Sequence, residues 1–127
     1  MAERPDIRMS PSEVRDFLAT QRRAVVGALD AGEPVGTVAD IRVVDGALEV
    51  TLAEDDPVRL AIAVDDRVCV VAEQFPTYYE IKGVCAHGRA APVDGLGGRT
   101  FCLALADVTS FDFGKLPRAG AGSGTTV

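Results

Sequence analysis

Histidine is scarce in this sequence, and the scarcity limits what its side chains can catalyse unaided. The single histidine, His87, lies beside Gly88 in a predicted strand. A nucleophilic triad needs a basic group next to a serine or cysteine and a carboxylate that orients the base, and no such set is evident. We expect His87 to face solvent or a partner, because no second metal ligand lies at a useful spacing. If the chain is an enzyme, a cofactor must carry the reaction.

Cysteine is also sparse, and its pattern excludes a structural zinc site. The three cysteines, Cys69, Cys85 and Cys102, are widely spaced and form no Cys-x-x-Cys motif or Cys/His cluster. Each lies in a predicted strand among Val, Ala and Leu. We therefore expect buried free thiols that pack as small hydrophobic groups.

An excess of basic residues and a long apolar run are both missing. The net charge of −6 and the pI of about 4.7 argue against a general nucleic-acid-binding protein, which needs a basic surface. No apolar run approaches the roughly 18 residues of a membrane helix. The first nine residues mix charge with proline and have no apolar signal-peptide core. We expect a cytoplasmic protein without nucleic acid or membrane as a partner.

The composition is that of one folded domain. Hydrophobic residues make up 47% of the 127 residues and charged residues 25%, as in soluble globular proteins. One domain is the expectation for this length. We assign residues 1–9 to a flexible arm, 10–117 to the domain and 118–127 to a flexible tail, because the tail is rich in Gly and Ser.

Two short helices are predicted. The first begins at Ser10, where Pro11 suits the first helical position and Glu13 completes a capping box. Its apolar residues recur at helical spacing and give one apolar face. The second begins at Asp55-Asp56-Pro57 and runs to about Val64. The adjacent carboxylates at 55–56 and 65–66 are explained by helix-terminus and turn chemistry, since neighbours in a helix do not face one another.

About six strands follow from the apolar pattern. They cover residues 24–30, 35–44, a returning strand that carries Leu48, Val50 and Leu52, and then 67–74, 79–90 and 101–113. Asp45-Gly46 predicts a type I′ hairpin turn. The glycine-rich segment 94–98 is predicted as an ordinary loop, since no Lys-Ser/Thr follows it. Six strands with little helix favour a small closed barrel, and a homodimer would cover strands that are apolar on both faces.

Three motifs in this order resemble a known family. They are Asp65-x-Arg67-Val68, the Tyr78-x-x-Ile81-x-Gly83 segment and the final VTSFDF at 108–113. The sequence resembles the pyridoxamine 5′-phosphate oxidase-like flavin-binding split barrels over roughly residues 10–117. The resemblance implies a mainly β, six-stranded antiparallel split barrel that is homodimeric. It also implies FMN, or a deazaflavin, in a groove at the dimer interface and redox chemistry through the flavin ring.

The resemblance assigns candidate cofactor residues but no catalytic residue. The flavin ring would lie against residues 35–40, and the phosphate would meet cations near the second helix. The candidate residues are Thr37, Val38, Asp40, Thr51, Leu52, Ala53, Arg59 and Lys82. Tyr78 and Tyr79 are candidates either for stacking on a planar ligand or for packing at an interface.

Departures from the family pattern keep alternatives open. Val58 stands where relatives carry a phosphate-binding lysine, Asp55 and Asp56 add negative charge nearby, and Asp40 replaces an apolar or aromatic residue. The first alternative is a non-catalytic split-barrel module for haem or another planar ligand. The second is a purely structural dimer.

Overall fold

The computed structural model of the chain describes residues 6–93 and 98–117, which form a mainly β structure with two α-helices. The helices are α1 (Pro11–Ala19) and α2 (Pro57–Ile62), and short 3-10 helices span Tyr78–Glu80 and Phe113–Lys115. The strands are β1 (Arg23–Asp30), β2 (Glu33–Val44), β3 (Ala47–Thr51), β4 (Arg67–Gln74), β5 (Lys82–Arg89), β6 (Ala91–Pro92), β7 (Thr100–Leu103) and β8 (Asp107–Asp112).

The strands form one antiparallel sheet in the order β6-β7-β3-β2-β1-β4-β5-β8. Its two ends are connected through the chain itself. Only Ala90 separates β5 from β6, and residues 104–106 separate β7 from β8. The β5–β6 segment and the β7–β8 segment each place one strand near one end of the sheet and the other strand near the opposite end. The sheet therefore curls into a split barrel.

The strand count corrects the expectation of six. The predicted strand 101–113 is two strands, because the chain leaves β3 after Leu103 and joins β5 from Asp107. The predicted strand 79–90 begins later, at Lys82, since Tyr78–Glu80 forms a 3-10 helix. Leu103 and Leu105 continue the apolar pattern through the bend, so the pattern does not reveal where the chain changes partners.

Helix α1 begins as predicted. The Glu13 backbone N–H donates to Ser10 Oγ at 3.2 Å, and the Ser10 N–H donates to Glu13 Oε1 at 2.8 Å. This capping box satisfies N–H groups that the first turn leaves without helical partners. Val14, Phe17 and Leu18 are buried and attach the helix to the core.

The described end of the predicted flexible arm is attached to the barrel. Met9 is buried, and its N–H donates to Ser110 Oγ at 2.9 Å. The carbonyl of Ile7 accepts a hydrogen bond of 2.7 Å from the Asp112 N–H. Residues 7 and 9 of the predicted arm thus have hydrogen-bond partners on β8. Residues 1–5 and the predicted tail, 118–127, lie outside the described residues.

The inner face of the barrel holds the core, and its outer face is partly apolar. Alternate strand residues such as Val26, Leu48, Val50 and Val70 are at most 1% exposed. The Asp45-Gly46 hairpin is confirmed, with φ of 51° and 78°. None of the helices among the described residues is long and apolar enough to cross a membrane.

Candidate functional site

Arg59, the predicted phosphate ligand, is fixed to two backbone carbonyls. Its Nε donates to the Gly98 carbonyl at 3.0 Å and its Nη1 to the Glu54 carbonyl at 2.6 Å. Gly98 has a φ of +73°, and a Cβ there would lie 3.4 Å from Arg59 Nη2. A glycine thus allows the loop before β7 to approach the guanidinium closely.

Arg99 is a second cation at this site, and the sequence reasoning missed it. Its Nε donates to the Leu52 carbonyl at 3.1 Å, while the Leu52 N–H donates to the Arg99 carbonyl at 2.8 Å. The neighbouring loop was predicted as an ordinary one, and the only signal was an arginine directly after Gly97-Gly98. Residues 94–97 of that loop lie outside the described residues.

The two arginines line one cavity of about 390 Å³ between α2 and the start of β7. We call it the arginine groove. Its other walls are mostly apolar and include Leu60, Ile62 and Phe101. Asp66 also lines it, but its Oδ1 accepts a 2.5 Å hydrogen bond from Arg89 Nη1. The groove suits a ligand with an apolar body and a phosphate or carboxylate end, since guanidinium groups bind such oxyanions well.

Asp56 and Thr37 hold the start of α2 instead of lining the groove. Asp56 Oδ1 accepts from the Val58 N–H at 2.8 Å, and its Oδ2 accepts from Thr37 Oγ1 at 2.8 Å. The first turn of α2 is therefore capped by the protein's own carboxylate. Thr37 was predicted to contact the flavin ring. In the structure its hydroxyl donates a hydrogen bond to the Asp56 carboxylate that caps α2.

A polar row crosses the outer face of the barrel towards the groove. Arg23 pairs in register with Asp40, Asp40 with Thr51, and Thr51 with Thr100. Arg23 Nε lies 3.4 Å from Asp40 Oδ1, and the hydroxyls of Thr51 and Thr100 are 3.0 Å apart. Thr100 also lines the arginine groove. Three strand spacings make this row roughly 14 Å long.

An apolar patch lies at the other end of the row. Val25, Val38 and Phe75 are 51%, 59% and 65% exposed. They line an open cavity of about 480 Å³ on β1, β2 and β4, together with Val71 and Arg23. We call this the outer patch. Val38, a predicted ring contact, thus lies on a surface that a flat apolar group could cover.

The remaining predicted cofactor residues have different positions. The Leu52 side chain is only 3% exposed and belongs to the core, although Leu52 also lines the groove. Ala53 is exposed on the loop before α2. Lys82 pairs in register with Gln74, whereas Arg67, at the other end of β4, follows the groove residue Asp66. Seven residues of strand separate these ends by roughly 23 Å. The fold of the single chain therefore does not bring Lys82 to the arginine groove.

The two tyrosines form part of an aromatic cluster. The Tyr78 ring centroid lies 5.0 Å from that of Tyr79 and 5.3 Å from that of Phe113, and Phe113 in turn contacts Phe111. These contacts lie within one chain, so packing at an interface and stacking on a planar ligand both stay predictions for the two tyrosines. Tyr78 remains 60% exposed, so its ring also has an open side.

In the described part of the chain, His87 and the three cysteines do not form a catalytic or metal-binding cluster. His87 is exposed, and its Nε2 lies 3.7 Å from Cys85 Sγ. Burial raises the pKa of the Cys85 thiol, so the reactive thiolate is disfavoured. The three cysteines are free but only partly buried, which corrects the expectation of full burial. Within residues 6–93 and 98–117, no group of three or more His, Cys, Asp or Glu residues could hold a metal ion.

The strand order and the two chain segments that reach both ends of the sheet form a split barrel, and comparison with solved structures shows that its fold is similar to that of pyridoxamine 5′-phosphate oxidase-like split barrels. A conserved hypothetical protein from Mycobacterium tuberculosis matches with a TM-score of 0.77 and 21% identity, over 100% of this chain and 97% of that chain. A provisionally assigned pyridoxamine 5′-phosphate oxidase from Corynebacterium glutamicum matches with a TM-score of 0.71 and 14% identity, over 93% and 100% of the two chains.

An FAD-binding protein from Mycobacterium smegmatis has the same fold, with a TM-score of 0.68 and 16% identity over 81% of this chain and 94% of that chain. No protein-family model matches the sequence, and no curated protein matches it either. At these identities the likeness concerns the fold, and the fold confirms the resemblance seen in the three sequence motifs.

Proposed function

We propose that the protein binds a flavin nucleotide, with FMN as the first candidate, and acts as a flavin-dependent oxidoreductase. The observation that carries the proposal is the pair Arg59 and Arg99, which project into an apolar groove that the polar row connects to the outer patch. A phosphate bound by the arginines would leave a planar ring within reach of the row and the patch.

The residues fit a phosphate-bearing group in a specific way. The Nε atoms of Arg59 and Arg99 are bound to carbonyls, so both guanidinium groups are oriented before a ligand arrives. Preorganised donors bind an oxyanion without a further ordering cost. Because Asp56 caps α2, the phosphate would depend on these side chains and not on the helix start.

A bound flavin supplies hydride or electron transfer, and the chain supplies its position and surroundings. Val38 offers an apolar contact, while Asp40 and Thr51 offer hydrogen-bonding groups. The neighbours support the cofactor class, since one is named as an FAD-binding protein and another as a provisionally assigned pyridoxamine 5′-phosphate oxidase. The substrate stays open, and a deazaflavin is the alternative cofactor. The proposed cytoplasmic location rests on the sequence alone.

We further propose a homodimer that covers the outer patch and places the ligand at the interface. Exposed Val25, Val38 and Phe75 form an apolar surface of the kind that oligomer contacts bury. Val25→Asp should convert the dimer to a monomer, measured by light scattering after size exclusion. A wild-type protein that is already monomeric at micromolar concentration contradicts the dimer.

The test of the cofactor is the visible spectrum of the purified protein, followed by titration of cofactor-free protein with FMN, FAD and a deazaflavin. We expect flavin absorbance or quenched flavin fluorescence, and bleaching of the bound flavin by a chemical reductant. A protein that shows no spectral change with any of the three contradicts the proposal. Haem, the other ligand expected from the sequence, would give a Soret band that depends on His87; it stays a prediction.

A further inference from the structure

The cross-strand ion pair between Arg23 and Asp40 is exposed on both sides, whereas the cross-strand pairs Arg42–Glu49 and Lys82–Asp112 each have a carboxylate side chain that is only 13% exposed. Both side chains are 73% exposed, and Arg23 Nε lies 3.4 Å from Asp40 Oδ1. By comparison, the cross-strand pair on the next outward-facing position of β2 is shorter, with Arg42 Nη2 at 2.9 Å from Glu49 Oε1. A loose, exposed pair leaves most of its donors and acceptors available for a third group.

The position of this pair relates it to the proposed ligand. Arg23 lines the outer-patch cavity with Val25, Val38 and Phe75. Asp40 follows Val38 by two residues and lies on the same face of β2. A flat ring on the outer patch would therefore present one edge to the pair, while the row through Thr51 leads to the arginine groove.

We infer that Arg23 and Asp40 recognise the imide edge of a flavin or deazaflavin, and that they select this class of planar ligand. The inference rests on the proposed function. An imide edge carries an N–H between two carbonyl groups. The Asp40 carboxylate accepts from the N–H, and the Arg23 guanidinium donates to a neighbouring carbonyl oxygen. Planar ligands without an N–H between carbonyls, such as haem, lack this complement.

The chain contains a matched control for this assignment. Arg42 and Glu49 form another cross-strand ion pair on the same face of β2, with Arg42 Nη2 and Glu49 Oε1 at 2.9 Å. Neither residue lines the outer-patch cavity. Loss of a surface ion pair as such is therefore measured by Glu49→Gln, and loss of edge recognition by Asp40→Ala.

The experiment measures dissociation constants for FMN and for 3-methyl-FMN, whose methyl group removes the imide N–H. Wild type and Glu49→Gln should bind FMN about tenfold or more tightly than the methylated form, since the ligand loses a hydrogen bond to a charged acceptor. Asp40→Ala should bind both forms with similar affinity. Arg23→Gln should weaken FMN binding severalfold.

Two results overturn the inference, and they differ from failure of the proposed function. If wild type binds both ligands equally, or if Asp40→Ala keeps the preference for FMN, the pair does not read the imide edge although flavin binds. If no variant binds either ligand, the proposed function fails and the inference fails with it. Thermal melting of each variant establishes that the exposed substitutions leave the fold intact.

Discussion

The two ends of strand β4 hold positive charge in different ways. Near its first residues, Arg59 and Arg99 are fixed through their Nε atoms to backbone carbonyls, and Asp66, which also lines the groove, is paired with Arg89. Near the last residue of β4, Lys82 lines a cleft together with Glu13, Asp16 and Asp112. Its Nζ lies 4.0 Å from Asp112 Oδ2. Both ends contain a cation that the sequence suggested for a phosphate.

The difference shows that the partners of a cation decide whether it can bind an anion. Three carboxylates around Lys82 make that cleft unfavourable for a phosphate. In residues 6–93 and 98–117, Arg59 and Arg99 donate to neutral carbonyls and form no ion pair with a carboxylate. The sequence supplies the residue types, but the fold supplies the partners.

The sharpest test of this comparison is the loss of flavin affinity. Arg59→Gln with Arg99→Gln should raise the dissociation constant for FMN about 100-fold or more, because each charge-assisted hydrogen bond contributes about 1.5–3 kcal/mol. Lys82→Gln should stay within about twofold. Fluorescence titration measures both constants. An equal loss in the two variants contradicts the difference between the ends.

A second test concerns Asp56, whose carboxylate caps the first turn of α2 beside the groove. Asp56→Ala should lower the free energy of unfolding by about 1–2 kcal/mol, since Val58 loses its cap and Thr37 its acceptor. Ser10→Ala, at the cap of α1, should cost about 1 kcal/mol. Urea unfolding compares them, and an unchanged Asp56→Ala protein argues against the cap.

A third test separates backbone strain from binding. Gly98 and Gly32 have φ of +73° and +84°, so alanine at either position should cost about 1–2 kcal/mol of stability. Only Gly98 approaches Arg59, while nothing lies within 4 Å of a Cβ at Gly32. We expect Gly98→Ala alone to weaken FMN binding. Equal affinities in the two variants would show that the Gly98 contact does not position the guanidinium.

The smallest expected effect is a pH dependence of the stability that Glu13 contributes in the first turn of α1. The hydrogen bond from Lys115 lowers the pKa of Glu13 from its usual 4.5 to about 2. A lowered folded-state pKa stabilises the protein above pH 4.5, and this contribution is lost as the pH falls towards 2. Lys115→Met should therefore reduce stability at pH 6 slightly and match wild type near pH 2. Urea midpoints across this range measure the difference.

Local signals in the sequence predicted the parts of the fold that depend on neighbouring residues. The capping box at Ser10 and the Asp45-Gly46 turn were confirmed because each is set by two to four adjacent residues. The bend between Leu103 and Asp107 was not predicted, because it depends on which strands are available for pairing. An apolar pattern carries no information on that choice.

The candidate site was predictable to a similar extent. Arg59 lines the groove, and Asp40 and Thr51 are paired in register, while their roles in cofactor binding stay predictions. Arg99 was missed because its role depends on Leu52, far away in the sequence. Lys82 was proposed for the same phosphate because the sequence does not give the distance between Lys82 and Arg59 in the fold.

The attachment of the N-terminal segment to strand β8 has a consequence for synthesis in the cell. The Met9 N–H can form its hydrogen bond only after Ser110 has been synthesised. Glu13 likewise needs Lys115, whose Nζ lies 2.7 Å from Glu13 Oε1. The ribosome adds about 5–20 residues per second, so roughly 5–20 s pass before the first segment meets its partners. The hydrogen bonds that attach the N-terminal segment to the barrel therefore form only after β8 and the 3-10 helix that follows it have been synthesised.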